Sequence, residues 1–418
     1  MTNVVVKKSY LSGDVTPPSS KSVAHRLILA SAISRNQTKI YGNLNSNDII
    51  ATLKCIESLG AKVVRIEGGV EIIPSTLVSE NVTFNVKESG STMRFLLPLL
   101  PIYGKSFTMV GEGRIGERPI TALKETMAKV GVEVESNFLP TKVEGSYNGN
   151  IFEIDPSLSS QYLTGLLFTL YALGGGTIIT TGKVTSKGYV DVTLDVLKKF
   201  GVEVENNKDK YIVNVNNPSN APREINVDGD WSSACFWIVG ALLNGSITLN
   251  GLSYPSAQPD SVIIEIARKM GGKVKIENNE IKVEKSSLKA IDFNADDSPD
   301  IVPILSVACA FADGVSTITG IERLRVKESD RVKTVTDMLL AVGIKVENGY
   351  DYIKIYGNSK IKGGTIDSAN DHRIAMSGII LSIMGEEETI VRGVECVSKS
   401  YPNFLKDFIS LGGECNEL

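Results

Sequence analysis

ITALKETMAKVGVEV (residues 120–134) is the stretch that decides the fold. Apolar side chains recur at helical spacing up to Val130, a glycine follows, and then apolar and charged residues alternate. A glycine after the last apolar turn is a common helix stop, because it takes the left-handed conformation without a Cβ penalty. The alternation after it has the period of a strand. The same sentence recurs as LGAKV from Leu59, FGVEV from Phe200, MGGKV from Met270, VGIKV from Val342 and, with cysteine for valine, LGGEC from Leu411. The stop glycines are Gly60, Gly131, Gly201, Gly271, Gly343 and Gly412, at spacings of 71, 70, 70, 72 and 69. Intervals this even mark an internal repeat, which overrides any element-by-element reading.

A second pattern is interleaved with the first. TKIYG, FTMVG, TIITTG, ITLNG, STITG and TIVRG are short β-rich runs ending at Gly42, Gly111, Gly182, Gly251, Gly320 and Gly393. Each follows a more apolar helical stretch, such as QYLTGLLFTLYALGG or HRIAMSGIILSIMG. Each unit of about 70 residues therefore reads as a βαβαββ module, present six times in an α/β (α+β) chain. The last copy ends soon after Gly412 without room for its closing strands, and residues 4–7 are expected to supply one. Both chain ends then belong to one domain. The simplest partition is a continuous domain over 15–226 and a discontinuous one over 1–14 plus 227–418, with three modules each. An open solenoid is disfavoured, since such arrays use shorter units.

Composition bounds the function. A 42% hydrophobic content supplies ample core, and a net charge of -4 lacks the basic excess of a nucleic-acid binder. Cys55, Cys235, Cys309, Cys396 and Cys415 are scattered without a CxxC pair, and His25 and His372 are the only histidines, so a zinc site is not expected. No secretory signal is read at the amino terminus, and the odd cysteine count suits a reducing cytosol. The most apolar segments are too short or interrupted to span a bilayer. The expectation is a cytoplasmic, soluble chain.

The loops after the second strands vary most: NSNDI, GRIGERP, SKGY, SAQPD, RVKESDR and SKSYPN, each just before a helix. Helix N-termini carry unpaired amides and attract anions. Asp48 and Asp260 read equally well as ordinary helix-start residues. The cations are harder to set aside: Lys21 and Arg26 open the first helix, Arg94 sits in another first turn, and Arg118, Arg331 and Arg373 lie at further helix starts. A cation there opposes the helix dipole by about 0.3–1 kcal/mol, so several together point to anions that complete the site. Guanidinium forks suit phosphate and carboxylate. Asp300 reads as an N-cap or a general base, and Glu328 as a salt-bridge partner or a proton donor; spacing does not choose. GSTMR at Gly90 and GEGRIGERP at Gly111 fit neither a Walker nor a Rossmann template, and no carboxylate cluster calls for a metal.

Taken in order, PSSKSVAHR (18–26), GSTMR (90–94), GERP (116–119), SSQY (159–162), RVKESDR (325–331), NDHR (370–373) and SKSYPNF (398–404) resemble the signature segments of the 5-enolpyruvylshikimate-3-phosphate synthase (3-phosphoshikimate 1-carboxyvinyltransferase) family. The resemblance spans essentially the whole chain. It implies two domains of three βαβαββ modules in a pseudo-threefold, inside-out α/β barrel arrangement, with the active site in the cleft between them. It also implies transfer of the enolpyruvyl group of phosphoenolpyruvate to the 5-hydroxyl of shikimate 3-phosphate by addition and elimination, without cofactor or metal. By resemblance, Lys21, Ser22, Arg26, Ser159, Ser160, Gln161, Ser186, Asp300 and Lys327 bind shikimate 3-phosphate, with Tyr189 a further candidate. Lys21, Gly90, Arg118, Gln161, Arg331, Arg373 and Lys399 hold phosphoenolpyruvate, and Asp300, Glu328 and Lys21 carry the chemistry. Glu88, Ser91 and Phe95 depart from the family pattern beside Gly90, where the family binds glyphosate. No nucleic acid or membrane is expected as partner, and a monomer is.

Two rivals frame this reading. The related transferase acting on UDP-N-acetylglucosamine usually carries Lys-Asn near its start and a loop cysteine. Here the pair is Lys21-Ser22, and no cysteine lies between Cys55 and Cys235. A non-catalytic anion-binding repeat protein would explain the modules but not Asp300 and Glu328 beside so many arginines.

Overall fold

The computed structural model describes residues 2–74, 81–216, 221–278 and 280–418. The chain divides into two compact units, Ser19–Val227 and Met1–Pro18 with Asp228–Leu418.

The Ser19–Val227 unit holds helices α1 (Lys21–Ile33), α2 (Asn47–Ser58), α3 (Gly90–Leu96), α4 (Thr121–Ala128), α5 (Ser160–Leu173) and α6 (Lys187–Lys199). One module shows the build. Strand Val82–Asn85 runs parallel to Ser106–Val110, with α3 as the crossover between them. After α4, strands Val132–Val134 and Thr141–Gly145 add antiparallel, so the sheet order is first, second, fourth, third. The other two sheets repeat that order. In one of them the opening strand, Glu224–Asn226, comes from the far end of the unit and pairs parallel with Thr38–Tyr41.

α1, α3 and α5 are buried almost all round, as their sequences dictate; α5 reads SQYLTGLLFTLYAL with no polar face. α6 instead buries one stripe, Val190, Thr193, Val196 and Leu197, and leaves Lys198 and Lys199 outside. α5 packs against both α1 and α3. It approaches α3 closely because position 165 is glycine: a Cβ there would lie 2.3 Å from the Arg94 carbonyl oxygen.

The second unit repeats the plan with α7 (Trp231–Asn244), α8 (Ile263–Lys269), α9 (Val302–Ala310), α10 (Arg331–Leu340), α11 (His372–Ser382) and α12 (Phe404–Ser410). α7, α9 and α11 pack on one another and are buried along their lengths. Strand Leu11–Val15 opens one sheet by pairing parallel with Gly245–Leu249. Strand Asn3–Val6 sits between Thr389–Arg392 and Cys415–Glu417, antiparallel to both. A closing strand of the last module is thus supplied where residues 4–7 were expected to give one, but over Asn3–Val6, without Lys7. The expectation of no room after Gly412 is corrected, because Cys415–Glu417 forms the other closing strand. All six stop glycines have φ between +76° and +99°, a region costly to any side chain. Among the described residues, no helix is long and apolar enough to cross a membrane.

Candidate active site

In the Ser19–Val227 unit, Ser20 caps α1 by accepting from the Val23 amide at 3.4 Å, which sets Lys21 at the helix start. Lys21 Nζ pairs with Asp48 Oδ2 at 2.8 Å; Asp48 sits in the first turn of α2 without capping it. Arg26 lies on the second turn of α1, not at its opening, and is buried. Its Nε donates to Thr193 Oγ1 (2.8 Å), Nη1 to the Ser22 carbonyl (2.7 Å) and Nη2 to the Tyr189 carbonyl (2.9 Å). Phe95 lies under the guanidinium, 5.0 Å from ring centre to Cζ. Burial, met only by neutral oxygens, pulls the Arg26 guanidinium down to about 9, so it remains a cation at neutral pH. Tyr189 belongs to the first turn of α6, whose N-cap, Ser186, is held left-handed at φ 49°, ψ 47°.

Ser159 caps α5 and Ser160 is its first residue, buried. Gln161 bridges two helices, accepting from Arg94 Nη1 at 2.8 Å and donating to Ser91 Oγ at 3.0 Å. Two more placements correct the sequence reading, after that of Arg26. Arg94 lies in the last turn of α3, and Arg118 follows the 3-10 turn Gly113–Glu117 ahead of α4. The cause in the second case is proline: Pro119 delays the helix and leaves Arg118 in extended backbone. Arg118 then folds over the start of α3, where a Cβ on Gly90 would meet its Nη1 at 2.6 Å.

In the other unit the candidates form one connected cluster. Asp300 lies in the 3-10 turn Pro299–Ile301 and makes no cap bond. Its Oδ1 takes Arg331 Nη1 at 2.8 Å and Lys327 Nζ at 3.5 Å; its Oδ2 takes Arg373 Nη2 at 2.9 Å. Burial pushes this carboxyl up, but Arg373, Lys327 and Arg331 together outweigh it and hold it well below the usual range. Arg331 opens α10 behind the Asp330 cap and is 1% exposed. Besides Asp300 it reaches Glu328 Oε2 at 2.7 Å and, through Nε, Asp371 Oδ2 at 2.8 Å. Burial alone would lower its affinity for the proton; Asp371, Glu328 and Asp300 reverse that and raise it.

Asp371, fully buried, caps α11 by accepting from the Arg373 amide at 3.0 Å and also accepts from Ser329 Oγ at 2.9 Å. Burial raises its carboxyl, but Arg331 and then His372 draw it below the ordinary value. Ala369 and Asn370 before it are both left-handed, at φ 50° and 56°, and Lys399 Nζ donates to the Asn370 carbonyl at 2.7 Å. Asp260, in the 3-10 turn Pro259–Val262, is 1% exposed and accepts from Ser232 Oγ. Burial first and the charge of Asp300 second lift it to about 6, against the pull of Arg373. Among the described residues, no group of three or more His, Cys, Asp or Glu side chains is arranged to hold a metal ion.

The profile of the EPSP synthase (3-phosphoshikimate 1-carboxyvinyltransferase) family matches residues 5–408. The chain belongs to that family. It is 39% identical to the 3-phosphoshikimate 1-carboxyvinyltransferase of Clostridium novyi, covering 100% of this chain and 99% of that protein. The Clostridium acetobutylicum protein of the same name is 38% identical with the same coverage. The solved EPSP synthase from Acinetobacter baumannii superposes with a TM-score of 0.84 at 26% identity, over 100% of both chains. The chain is thus a transferase with the inside-out α/β fold of the EPSP synthases.

Each unit gathers its own share of the candidate residues. Lys21, Ser22, Gly90, Arg118, Ser159, Ser160, Gln161, Ser186 and Tyr189 lie in the Ser19–Val227 unit with Arg26, while Asp300, Lys327, Glu328, Arg331, Arg373 and Lys399 lie in the other. The geometry shows Glu328 as a salt-bridge partner of Arg331, with its side chain 22% exposed. Asp300 as a plain N-cap fails. Sequence reasoning missed Asp371, Ser329 and the carbonyl of Asn370, although NDHR placed an aspartate at a helix start two residues before an arginine. It also missed the burial of Asp260. Two departures from the family pattern have visible work in the unit: Phe95 supports Arg26, and Ser91 accepts from Gln161.

Proposed function

We propose that this transferase moves the enolpyruvyl group of phosphoenolpyruvate to the 5-hydroxyl of shikimate 3-phosphate and releases phosphate, within aromatic amino-acid biosynthesis. The observation that carries the reading is Asp300, a part-buried carboxylate gripped by Lys327, Arg331 and Arg373. Phosphoenolpyruvate offers a phosphate and a carboxylate, the two groups that guanidinium forks pair with best. When the donor engages Arg331 and Arg373, part of their hold on Asp300 passes to the donor, and Asp300 becomes a better base.

The acceptor hydroxyl then adds to C2 of the donor while C3 takes a proton and becomes a methyl group. In the second half the methyl loses that proton, the C2–O bond to phosphate breaks, and the double bond re-forms at C2–C3. Asp300 serves the hydroxyl proton and Glu328 the methylene proton, with Lys21 assisting. Lys21, Ser22, Arg26, Ser159, Ser160, Gln161, Ser186 and Lys327 hold shikimate 3-phosphate; Lys21, Gly90, Arg118, Gln161, Arg331, Arg373 and Lys399 hold the donor. The proposal draws on residues of both units, so it requires domain closure on the substrates; scattering that shows no compaction with both bound would oppose it. A cytoplasmic monomer that binds neither nucleic acid nor membrane fits the same reading.

The decisive assay is phosphate release from phosphoenolpyruvate. It is expected with shikimate 3-phosphate and absent with UDP-N-acetylglucosamine; the reverse pattern overturns the proposal. Glu328→Gln is expected to lose turnover at least about a hundredfold while both substrates still bind. Near-normal turnover would remove Glu328 from its role.

A further inference from the structure

Four buried side chains in the Ser19–Val227 unit form a hydrogen-bonded line that the reaction above does not use. His25 Nδ1 lies 2.7 Å from Thr52 Oγ1, Thr52 Oγ1 lies 2.6 Å from Thr92 Oγ1, and Thr92 Oγ1 lies 2.7 Å from Ser89 Oγ. All four residues have zero exposure. The line crosses three helices, from α1 through α2 to α3, and ends on the residue that caps α3 directly before Gly90.

The direction of its protons follows from two separate constraints. Ser89 Oγ accepts from the Thr92 amide at 3.2 Å, and the Thr92 hydroxyl also donates to it. With its proton committed to Ser89, Thr92 must accept from Thr52 at 2.6 Å; the Asp48 carbonyl, 3.3 Å from Thr52 Oγ1, is the longer and weaker of the two acceptors open to that hydroxyl. Thr52 must in turn accept from His25 Nδ1–H. At the other end, His25 Nε2 is buried with no hydrogen-bond partner among the described residues. A bare lone pair there is tolerated better than an N–H with nothing to receive it. Both constraints select the same neutral tautomer, protonated on Nδ1. Burial, then Lys21 and Arg26, also hold the imidazole well below its usual pKa, so it stays neutral.

We propose that His25 is a positioning residue: a fixed Nδ1–H donor at the closed end of this line, which locks the Ser89 cap and with it the Gly90–Arg118 packing that receives the anionic donor substrate. The link to function is spatial. Arg118 lies against the first residue of α3, so a first turn that rocks about its cap moves the surface on which the guanidinium rests. The identity of the donor as phosphoenolpyruvate rests on the function proposed above; the tautomer and the locking of the cap do not.

The two can fail separately. Nitrogen-15 spectra of the imidazoles in the intact protein test the tautomer without any turnover. The chain has two histidines, and the His25 signals are those lost in His25→Asn. A protonated Nδ1 and bare Nε2, unchanged from about pH 6 to 8, are expected. An Nε2–H tautomer, or titration within that range, overturns the proposal.

For the kinetic arm, His25→Phe is expected to raise the KM for phosphoenolpyruvate about tenfold, with kcat and the KM for shikimate 3-phosphate within about threefold. His25→Asn, whose amide can donate near the Nδ1 position, is expected to recover most of that loss. Thr92→Val cuts the same line nearer to Gly90 and should reproduce the effect, with no further loss in the double variant. Equal rises for both substrates, or no rescue by asparagine, would reduce His25 to a packing residue. Should His25→Phe not fold, Thr92→Val and the spectra still decide. Wild-type protein that releases no phosphate with shikimate 3-phosphate removes the proposed function and leaves the spectroscopic test standing.

Discussion

Arg26 and Arg331 are both buried arginines with their nitrogens engaged, and their surroundings are opposite. Arg26 is met by a hydroxyl and two carbonyls, while Arg331 is met by three carboxylates. Burying a cation among dipoles leaves its charge uncompensated, and burial accordingly loosens the Arg26 proton. Burying it among carboxylates tightens the proton instead. The Arg26 region therefore carries a charge that its own hydrogen-bond partners do not neutralise. The Arg331 region is already an internal salt, and an anion can enter it only by taking hydrogen bonds from Asp300 or Glu328. In the proposed reaction the first arrangement suits a phosphate that is merely held. The second suits a donor whose arrival has to release a base.

Swapping each arginine for methionine tests that contrast most severely. Arg331→Met leaves three acidic groups without their shared cation, and breaking a buried pair from one side costs about 3–5 kcal/mol. Arg26→Met removes a buried charge along with its hydrogen bonds; the stranded oxygens cost about 1–2 kcal/mol, offset in part by the charge no longer being buried. Denaturant titration should show the larger loss for Arg331→Met, whereas shikimate 3-phosphate affinity should fall at least about a hundredfold for Arg26→Met. Equal stability losses would erase the distinction between the two regions.

The acidic side of the contrast has a signature in pH. Asp300 and Asp371 hold folded-state pKa values below the ordinary 3.8, so their contribution is present above that value and is lost as pH falls through the folded one. Asp260 runs the other way. Lifted from 3.8 to about 6, it binds its proton more readily in the folded chain. Between those values the folded state holds the extra proton, so stability falls as pH rises from about 4 to about 6 and is level above. From pH 7 to 5 the wild type should therefore gain stability in thermal melts, and Asp260→Asn should lose that gain. An unchanged slope in the variant would mean that another group titrates there.

The module count was legible because the stop glycine has one physical job at all six sites. The pairing of Leu11–Val15 with Gly245–Leu249 was not, because nothing local in a strand names a partner so far away in the chain. The cations were legible as a surplus at helix starts, yet Arg94 and Arg118 were misplaced, since a proline or one extra turn shifts a helix boundary without altering the pattern. Asp371 was read as part of a motif and given no role. An aspartate before a helix advertises a cap, and it does cap α11, but a carboxylate has lone pairs enough to bind Arg331 as well. Local sequence signals report the first use of such a group and are silent on the second.

On the Arg26 side the contrast can be sharpened without touching a charge. Gly90→Ala puts a methyl group 2.6 Å from Arg118 Nη1, and the flexible guanidinium must move away. The fold should change by less than about 1 kcal/mol, because the far end of a side chain yields rather than backbone. The KM for phosphoenolpyruvate should rise about tenfold, which Arg118→Lys in the same background should not worsen in proportion. A proportional further loss would mean that Arg118 still works normally beside alanine.

The smallest effect concerns backbone. Ser186 holds a left-handed conformation at the start of α6, which for a residue with a side chain costs about 1 kcal/mol or more and persists only where something else requires it. Its carbonyl accepts from the Tyr189 amide at 3.0 Å, and the Tyr189 carbonyl in turn receives Arg26. The strained turn thus aims one of the three neutral oxygens that surround the uncompensated cation. Ser186→Gly keeps the conformation and removes the strain, but it enlarges the freedom of the unfolded chain, so the net gain should stay within about 0.5 kcal/mol. Shikimate 3-phosphate binding should weaken severalfold, because the hydroxyl is lost while the Tyr189 carbonyl stays in place. Ser186→Ala separates the terms: it keeps the strain and loses the hydroxyl, so its binding should match that of the glycine variant while its stability does not. If the alanine variant binds as the wild type does, the strained turn serves only to aim Tyr189 at Arg26, and the hydroxyl of Ser186 has no part in holding the phosphate.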